Sequence, residues 1–343
     1  MVRFCGAYQL LRFTHRRYRK VNATTFFKQN YDLSSNSKLL GNGKYANVYL
    51  SQNRKNGREV AVKLMLDDGS ERAQRSRERF RFELYLLRNC HHPGVIKHVF
   101  SFATKKFMIV VMDRMAGDLF SYMMNGKDQH LTERTTKFIA RQLFSALDYL
   151  HDRDIVHCDV KPENVLLDDM NLEFPHAKLC DFGLSKRIKD VEYAQHTVGT
   201  YIYLAPEILL KKEYTKAVDI WAMGVMIYAA LTSTMPFEEP TKKAKHIYKG
   251  LARKSFLFPR HLFYNVSRHA KKFLTSIFNP INTERPTADE CLDDPWLDDA
   301  VVYADVRQLE LRLNTGRFLT SVEEDVRFEK FLKTRGIPSC IPF

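Results

Sequence analysis

The sequence predicts an α+β fold with two lobes, a β-rich amino-terminal lobe (N-lobe) and a helical carboxyl-terminal lobe (C-lobe). Residues 37–66 contain three β-prone runs separated by glycine turns, and residues 107–112 form a continuous apolar run typical of a buried strand. Beyond that run, apolar side chains recur mainly at helical spacing. Because the strands precede the helices, we expect two lobes with a cleft between them.

The strands of residues 37–66 are delimited by turn residues. Gly41 and Gly43 separate the first two runs, and the pair Asn56-Gly57 separates the second from the third. The pattern predicts strand, glycine turn, strand, Asn-Gly turn and strand.

Helical periodicity predicts four main helices, at residues 71–90, 132–154, 219–232 and 267–278. The second begins at Thr132-Glu133, which resembles a capping box. Residues 299–343 have mixed charge and indicate a packing or regulatory tail.

The composition is that of an ordinary globular protein. The chain has 343 residues, of which 45% are hydrophobic and 27% are charged. The longest apolar run, residues 220–231, is too short to cross a bilayer and predicts a buried helix, so we expect no membrane span. The cysteines form no C-x-x-C pair, which favours reduced thiols in an intracellular protein.

The formal charge of +14 is concentrated at the amino terminus. Residues 1–31 contain seven Lys or Arg residues, and no acid precedes Asp32. The remaining charge is spread without a base-reading module, so we expect no specific nucleic-acid partner. Residues 1–31 are therefore interpreted as a basic extension. It is either a disordered or nuclear-targeting segment of a cytoplasmic or nuclear protein, or alternatively a mitochondrial targeting segment.

Two motifs together indicate a phosphate-binding lobe. Gly41-x-Gly43 lies between two strands, where glycines let backbone N–H groups approach phosphate oxygens. By itself such a hairpin is more often only a turn, and Lys63 at the end of Val60-Ala61-Val62-Lys63 could simply extend to the surface. Their combination favours a cation directed at phosphates, which Glu83 on the predicted helix could orient.

A second group of polar residues suits phosphoryl transfer. Asp159, Lys161 and Asn164 lie in one loop after a helix, and Asp181 follows seventeen residues after Asn164. The reaction needs a carboxylate that orients a hydroxyl, and oxygen ligands for Mg²⁺.

The ordered set of motifs resembles the signature of eukaryotic serine/threonine protein kinases, along residues 33–297. The matching pieces are Gly41-x-Gly43, Val60-Ala61-Val62-Lys63, Glu83, His157-x-Asp159 to Asn164, Asp181-Phe182-Gly183, Ala205-Pro206-Glu207 and Asp219-x-Trp221-x-x-Gly224. The ending at residues 284–297 is similar to the calmodulin-dependent-kinase-like group. The resemblance implies a kinase domain over residues 32–298, with an N-lobe to about residue 112 and a C-lobe from about residue 116.

The resemblance also implies roles in catalysis. Asp159 would orient the substrate hydroxyl, Lys161 would neutralise the transferring phosphate, and Thr200 would bridge these two. Asn164 and Asp181 would hold Mg²⁺.

The resemblance further implies an ATP site, in which Lys63, fixed by Glu83, binds the α- and β-phosphates. Met112 would be the gatekeeper beside a hinge from Asp113 to Met115. The other residues implied at this site are Gly41, Asn42, Gly43, Ala46, Val48, Ala61 and Leu166. Glu207 and Arg285 would form a buried ion pair.

The sequence departs from the kinase pattern at regulatory positions. Cys158 replaces the arginine that normally receives the activation-loop phosphate, and His196 stands where many kinases carry the phosphorylated threonine. Thr197 and Tyr193 remain possible acceptors. We expect a kinase that does not need the usual activation-loop phosphate. Ala46 replaces the third glycine of the loop, which should be tolerated.

The expected partners are protein substrates of a monomeric enzyme. Asp118 and Glu163 match acidic positions that favour Arg or Lys upstream of the target Ser/Thr, although Ala229 replaces a third such acid. The alternative is a pseudokinase scaffold, which loss of Lys63, Asp159 or Asp181 would have favoured.

Overall fold

The computed structural model describes residues 23–33, 37–42, 46–66, 71–104, 106–126, 129–188, 199–237 and 258–334, with the side chains of 71–75 excepted. These residues belong to two compact units. The first comprises residues up to 78 and residues 98–114, and the second comprises residues 79–97 and those from 115 onward. The first is built on a sheet and the second is mainly helical, which confirms the predicted α+β class.

The first unit contains a six-stranded sheet in which all neighbouring strands are antiparallel. Its order is β1-β3-β4-β6-β5, and β2 also pairs with β3. The strands are β1 (Tyr31–Asp32), β2 (Leu39–Asn42), β3 (Asn47–Asn53), β4 (Glu59–Leu66), β5 (His98–Ala103) and β6 (Phe107–Asp113). The predicted strands are confirmed, and Gly57 takes the positive φ of 69° that the Asn-Gly turn requires.

One face of this sheet is closed by helix α1 (Ala23–Asn30). Phe27 of that helix and the adjoining Tyr31 pack with Val62, Phe102 and Val111 in a single apolar cluster. Residues 23–31, predicted as part of a basic extension, therefore include a packed helix. The domain boundary at residue 32 stays a prediction, and residues 1–22, with the predicted targeting signal, lie outside the described residues.

The second unit contains two small antiparallel sheets, with orders β10-β9-β7 and β11-β8. Their strands are β7 (Gly117–Asp118), β8 (Ile155–Val156), β9 (Val165–Leu167), β10 (Ala177–Leu179) and β11 (Lys186–Arg187). The described helices are α2 (Glu71–Asn89, in this unit from residue 79), α3 (Leu119–Asn125), α4 (Glu133–His151), α5 (Pro206–Leu209), α6 (Ala217–Thr232), α7 (Arg268–Ile277), α8 (Ala288–Leu292), α9 (Ala300–Leu313) and α10 (Val322–Thr334). The four predicted helices are confirmed as α2, α4, α6 and α7.

Helix α6 forms the centre of the second unit, because all sixteen of its residues are buried. Among the described residues, no helix combines the length and the apolar character that a membrane span requires.

The predicted capping box at the start of α4 is wrong in one detail. The hydroxyl of Thr132 does cap the helix by accepting a hydrogen bond from the Thr135 backbone N at 3.1 Å. Glu133 does not complete a box, because the third helical position is Thr135. The Glu133 carboxylate instead accepts hydrogen bonds from the Ser267 backbone N at 2.8 Å and from Trp296 Nε1 at 2.9 Å, and so joins α4 to later elements.

The carboxyl-terminal helices pack on α4. The buried Arg141 of α4 donates to the Leu319 carbonyl oxygen at 3.0 Å and pairs with Glu324. Glu310 is 1% exposed and accepts from three successive backbone N–H groups, those of residues 318–320. Residues 299–334 are therefore part of the packed second unit.

Candidate active site

The loop after β8 is fixed by a buried carboxylate. Asp219 of α6 is 1% exposed and accepts hydrogen bonds from the backbone N of His157 at 2.8 Å and of Cys158 at 2.9 Å. Cys158 has a positive φ of 65°, an unfavourable conformation for a residue other than glycine. The two hydrogen bonds stabilise this conformation and hold the backbone on the amino-terminal side of Asp159.

Asp159, Lys161 and Thr200 form one hydrogen-bonded group. Lys161 Nζ lies 2.9 Å from Asp159 Oδ2 and donates to Thr200 Oγ1 at 2.8 Å. Thr200 in turn donates its hydroxyl to Asp159 Oδ1 at 3.3 Å. The structure thus brings together three of the five residues predicted to be catalytic; the other two, Glu83 and Lys63, are described below.

Gly199 allows Thr200 to reach this group. It has a φ of 115°, and a Cβ atom there would lie 2.8 Å from Leu204 Cδ2 and 3.1 Å from the Cys158 carbonyl oxygen. Only glycine lets the backbone pass so close, and the Thr200 backbone N then donates to Asp159 Oδ1 at 3.2 Å.

Thr200→Ala is expected to lower kcat by about tenfold to a hundredfold, because it removes two hydrogen bonds, to Lys161 and Asp159, which together contribute about 1.4–2.8 kcal/mol. Thr200→Ser keeps the hydroxyl and should retain most of the activity. Steady-state kinetics on both variants measure this difference. Equal losses in the two variants would mean that the hydroxyl is not what Thr200 contributes.

Asn164 and Asp181 offer oxygen atoms suited to a magnesium ion. The amide N of Asn164 donates to the Asp159 carbonyl oxygen at 2.7 Å and to Asp159 Oδ2 at 2.9 Å, so its Oδ1 is the atom oriented for a metal. The Cys180 backbone N donates to the Asn164 carbonyl oxygen at 2.9 Å, so Asp181 directly follows a residue that is bonded to Asn164. An amide oxygen and a carboxylate are hard ligands that fit Mg²⁺, which takes few protein ligands when substrate phosphates supply others.

Glu83 lies beside the turn that follows Asp181. A Cβ atom on Gly183 would be 3.3 Å from Asp181 Oδ1 and 3.8 Å from Glu83 Oε2. Glu83 is 3% exposed, so it is not a solvated helix acid. Since Glu83 belongs to the second unit and Lys63 to the first, the pairing of these two side chains stays a prediction.

The nucleotide residues predicted in the first unit share one face of its sheet. Val48 is opposite Lys63 across β3 and β4, and Ala61 is opposite Met112 across β4 and β6. Directly opposed residues and those two apart on a strand point to the same face. This face is the one opposite the cluster formed with α1.

The other predicted nucleotide residues lie at the ends of strands or outside the description. Gly41 and Asn42 end β2, Ala46 precedes β3, and Gly43 lies outside the described residues. Asp113 ends β6 and pairs with Arg58, whose Nη2 lies 2.9 Å from its Oδ1. In the second unit, Met115 is buried and Leu166 of β9 is partly exposed.

The ion pair between Glu207 and Arg285 is present and buried. Arg285 Nη1 lies 2.9 Å from Glu207 Oε1, and Nη2 lies 3.2 Å from Oε2. Arg285 also donates to the Ala217 carbonyl oxygen at 2.6 Å, and its guanidinium carbon lies 5.0 Å from the centre of the Trp221 ring. The pair therefore connects α5 to the start of α6.

Comparison with known proteins agrees with this geometry. Residues 34–297 match the protein kinase domain family, and the chain belongs to this family. Together with the serine/threonine-protein kinases among its relatives, the match confirms the resemblance to eukaryotic-type serine/threonine protein kinases.

Among its relatives is serine/threonine-protein kinase dkf-1 of Caenorhabditis elegans, 38% identical over 291 residues that cover 85% of this chain and 40% of that protein. Human serine/threonine-protein kinase D3 is 34% identical over 315 residues, covering 90% of this chain and 34% of that protein. Human serine/threonine-protein kinase D2 is 34% identical over 300 residues, covering 88% and 33%. The chain thus spans two fifths or less of the length of these relatives.

Proposed function

We propose that this protein is an active serine/threonine kinase that transfers the γ-phosphate of ATP to the hydroxyl of a protein Ser or Thr. The observation that carries the proposal is the group formed by Asp159, Lys161 and Thr200, in which a carboxylate and an ammonium ion are held together. Phosphoryl transfer depends mainly on positioning and on charge stabilisation, and this group supplies both.

Asp159 is the acceptor for the proton of the substrate hydroxyl. As the hydroxyl oxygen bonds to the γ-phosphorus and the bond to the ADP oxygen breaks, the proton passes to the carboxylate. Lys161, fixed by its contacts with Asp159 and Thr200, stabilises the negative charge of the transferring group. Asn164 Oδ1 and Asp181 would hold Mg²⁺, which neutralises phosphate charge when bound.

In the first unit, the glycine loop and Lys63 are proposed to bind the phosphates of ATP, and Val48, Ala61 and Met112 to contact adenine. The proposal is supported by their common face on the sheet. Leu166, Met115 and Asp113 complete the proposed nucleotide residues.

The preference for basic substrates is tested with peptides. Glu163 is exposed, and Asp118 caps α3 by accepting from the Ser121 backbone N at 2.7 Å. We expect a peptide with Arg three residues before Ser to be phosphorylated faster than its Ala counterpart. We also expect no labelling of the Tyr counterpart.

Glu163→Gln should reduce the preference by about fivefold at most, because an exposed ion pair contributes up to about 1 kcal/mol. Equal rates for the Arg and Ala peptides would contradict the basic preference, and labelling of no peptide would favour the pseudokinase alternative.

The kinase is also proposed to act without the usual activation-loop phosphate. Burial raises the pKa of the Cys158 thiol well above its ordinary value, so it stays neutral and offers a phosphate no charge. The acceptor candidates, Tyr193 and Thr197, lie outside the described residues.

Replacing both acceptors, as Tyr193→Phe with Thr197→Ala, should leave kcat/KM within about twofold of the parent, since residue 158 provides no cationic partner for a phosphate. The measurement is peptide phosphorylation, with mass spectrometry to confirm the absence of loop phosphate. A large loss in the double variant would mean that loop phosphorylation is required.

A further inference from the structure

Strand β11 places two basic residues shortly after the Asp181-Phe182-Gly183 turn, three and four positions beyond Gly183. In its pairing with β8, Lys186 is opposite Val156 and Arg187 is opposite Ile155. Adjacent side chains of a strand point to opposite faces, so the two cations are directed to different neighbours.

Arg187 contacts helix α2. Its Nη2 donates to the Tyr85 hydroxyl at 2.6 Å, and its guanidinium carbon lies 5.0 Å from the centre of the Tyr85 ring. Tyr85 is two residues beyond Glu83, the buried acid beside Gly183. A side chain that follows the metal-site turn is therefore bonded to the helix that carries Glu83.

Lys186 contacts the catalytic loop through Tyr214. Its Nζ lies 5.6 Å from the centre of the Tyr214 ring, within the range of a cation–π contact. Tyr214 is 5% exposed and lies against the thiol of Cys158. An aromatic side chain beside the cysteine is thus itself in contact with Lys186 of β11.

We propose that Lys186 and Arg187 form a two-sided clamp. It holds the start of the activation loop (residues 184–198) to the catalytic loop after β8 (residues 157–164) through Tyr214, and to helix α2 through Tyr85. The inference rests on the proposed kinase function and deepens it by naming positioning residues. Both contacts form when the chain folds and need no phosphate. The clamp is the physical reason that neutral Cys158 is compatible with an assembled site.

The size of the effect follows from the two interactions of Arg187. A cation over an aromatic ring and a hydrogen bond from a charged donor together stabilise the ordered state of α2 and the Gly183 turn. They shift the equilibrium toward that state about tenfold, which corresponds to about 1.4 kcal/mol. Arg187→Ala should therefore lower kcat/KM for Mg-ATP by about tenfold, chiefly through a higher KM, because nucleotide binding would have to order α2 and the turn at Gly183.

The matched control is Arg153→Ala. Arg153 is also an exposed arginine over a tyrosine ring, with its guanidinium carbon 3.7 Å from the centre of Tyr149. It bonds to the carbonyl oxygen of Tyr149, four residues earlier, and does not contact α2 through this pair. Arg153→Ala therefore removes a similar arginine–tyrosine contact at the end of α4 but leaves the contacts of β11 in place.

The experiment uses the full chain after phosphatase treatment and compares Arg187→Ala, Tyr85→Phe and Lys186→Ala with the control. Two quantities are measured, the kinetic constants for Mg-ATP and the hydrogen–deuterium exchange of the nucleotide-free protein. We expect faster exchange of residues 79–89 in Arg187→Ala and of residues 155–161 in Lys186→Ala. Tyr85→Phe, which keeps the ring, should give a smaller change in the same segment as Arg187→Ala, and Arg187→Lys should restore part of the loss.

Variants that match Arg153→Ala in both measurements would overturn the clamp. So would a fall in kcat with unchanged KM and unchanged exchange, since that result indicates only a smaller folded fraction. A wild-type chain without phosphotransfer would contradict the proposed function instead. The exchange measurement needs no activity and would still decide whether β11 holds these two segments.

Discussion

Asp159→Asn is expected to lower kcat by a factor of about 10²–10⁴, the usual contribution of a positioned general base. The amide keeps the size of the side chain but cannot accept the proton of the substrate hydroxyl. It also removes the negative charge that holds Lys161 Nζ at 2.9 Å from Asp159 Oδ2. The measurement is transfer of labelled phosphate from Mg-ATP to a basic Ser peptide. The concentration of active sites is determined separately by titration with nucleotide.

Asp152→Asn is the matched control for this substitution. Asp152 is an exposed aspartate at the end of α4, seven residues earlier, and lies outside the hydrogen-bonded group of the catalytic loop. It should retain the parent rate. If Asp159→Asn and the parent transfer phosphate equally fast, Asp159 is not the base and the proposed mechanism fails.

Arg285→Ala is expected to destabilise the protein by about 3–5 kcal/mol, because it leaves the Glu207 carboxylate buried without its partner. The side chains of the pair are 0% and 4% exposed, so water cannot replace the lost contacts. The variant also loses the hydrogen bond to the Ala217 carbonyl oxygen and the contact with the Trp221 ring. Urea unfolding followed by circular dichroism measures the free energy of unfolding.

Arg327→Ala provides the comparison for an exposed pair. Arg327 Nη1 lies 2.6 Å from Asp298 Oδ2, but the two side chains are 60% and 38% exposed. Such a pair contributes about 0–1 kcal/mol, so this variant should unfold close to the parent. A similar loss of stability in both variants would show that burial of the ion pair does not determine how strongly Arg285→Ala destabilises the protein.

Local patterns in the sequence were sufficient for most of the fold. The glycine turns and β-prone runs predicted β2, β3 and β4, and helical spacing predicted α2, α4, α6 and α7. Two features depend on distant contacts and could not be read locally. Helix α1 is stabilised by packing on the sheet, and Glu133 bonds to Ser267 and Trp296 instead of closing a capping box.

The site was predictable where the chemistry depends on residue type. Asp159, Lys161 and Thr200 meet as the resemblance implied, since the roles predicted for them require particular functional groups. The supporting contacts were not predictable in this way. Tyr85 and Arg187 are 102 positions apart, and no local pattern marks an exposed arginine that bonds a tyrosine on another element. The close approach at Gly199 depends on φ and on neighbours from other parts of the chain.

We propose that the site is assembled for phosphotransfer without an activation-loop phosphate. The most direct test is the phosphotransfer rate of the full chain made in bacteria and treated with phosphatase, with loss of phosphate verified by intact mass. We expect phosphotransfer well above that of Asp159→Asn prepared identically, with no lag. Activity that is absent until a separate kinase phosphorylates residues 184–198 would contradict it.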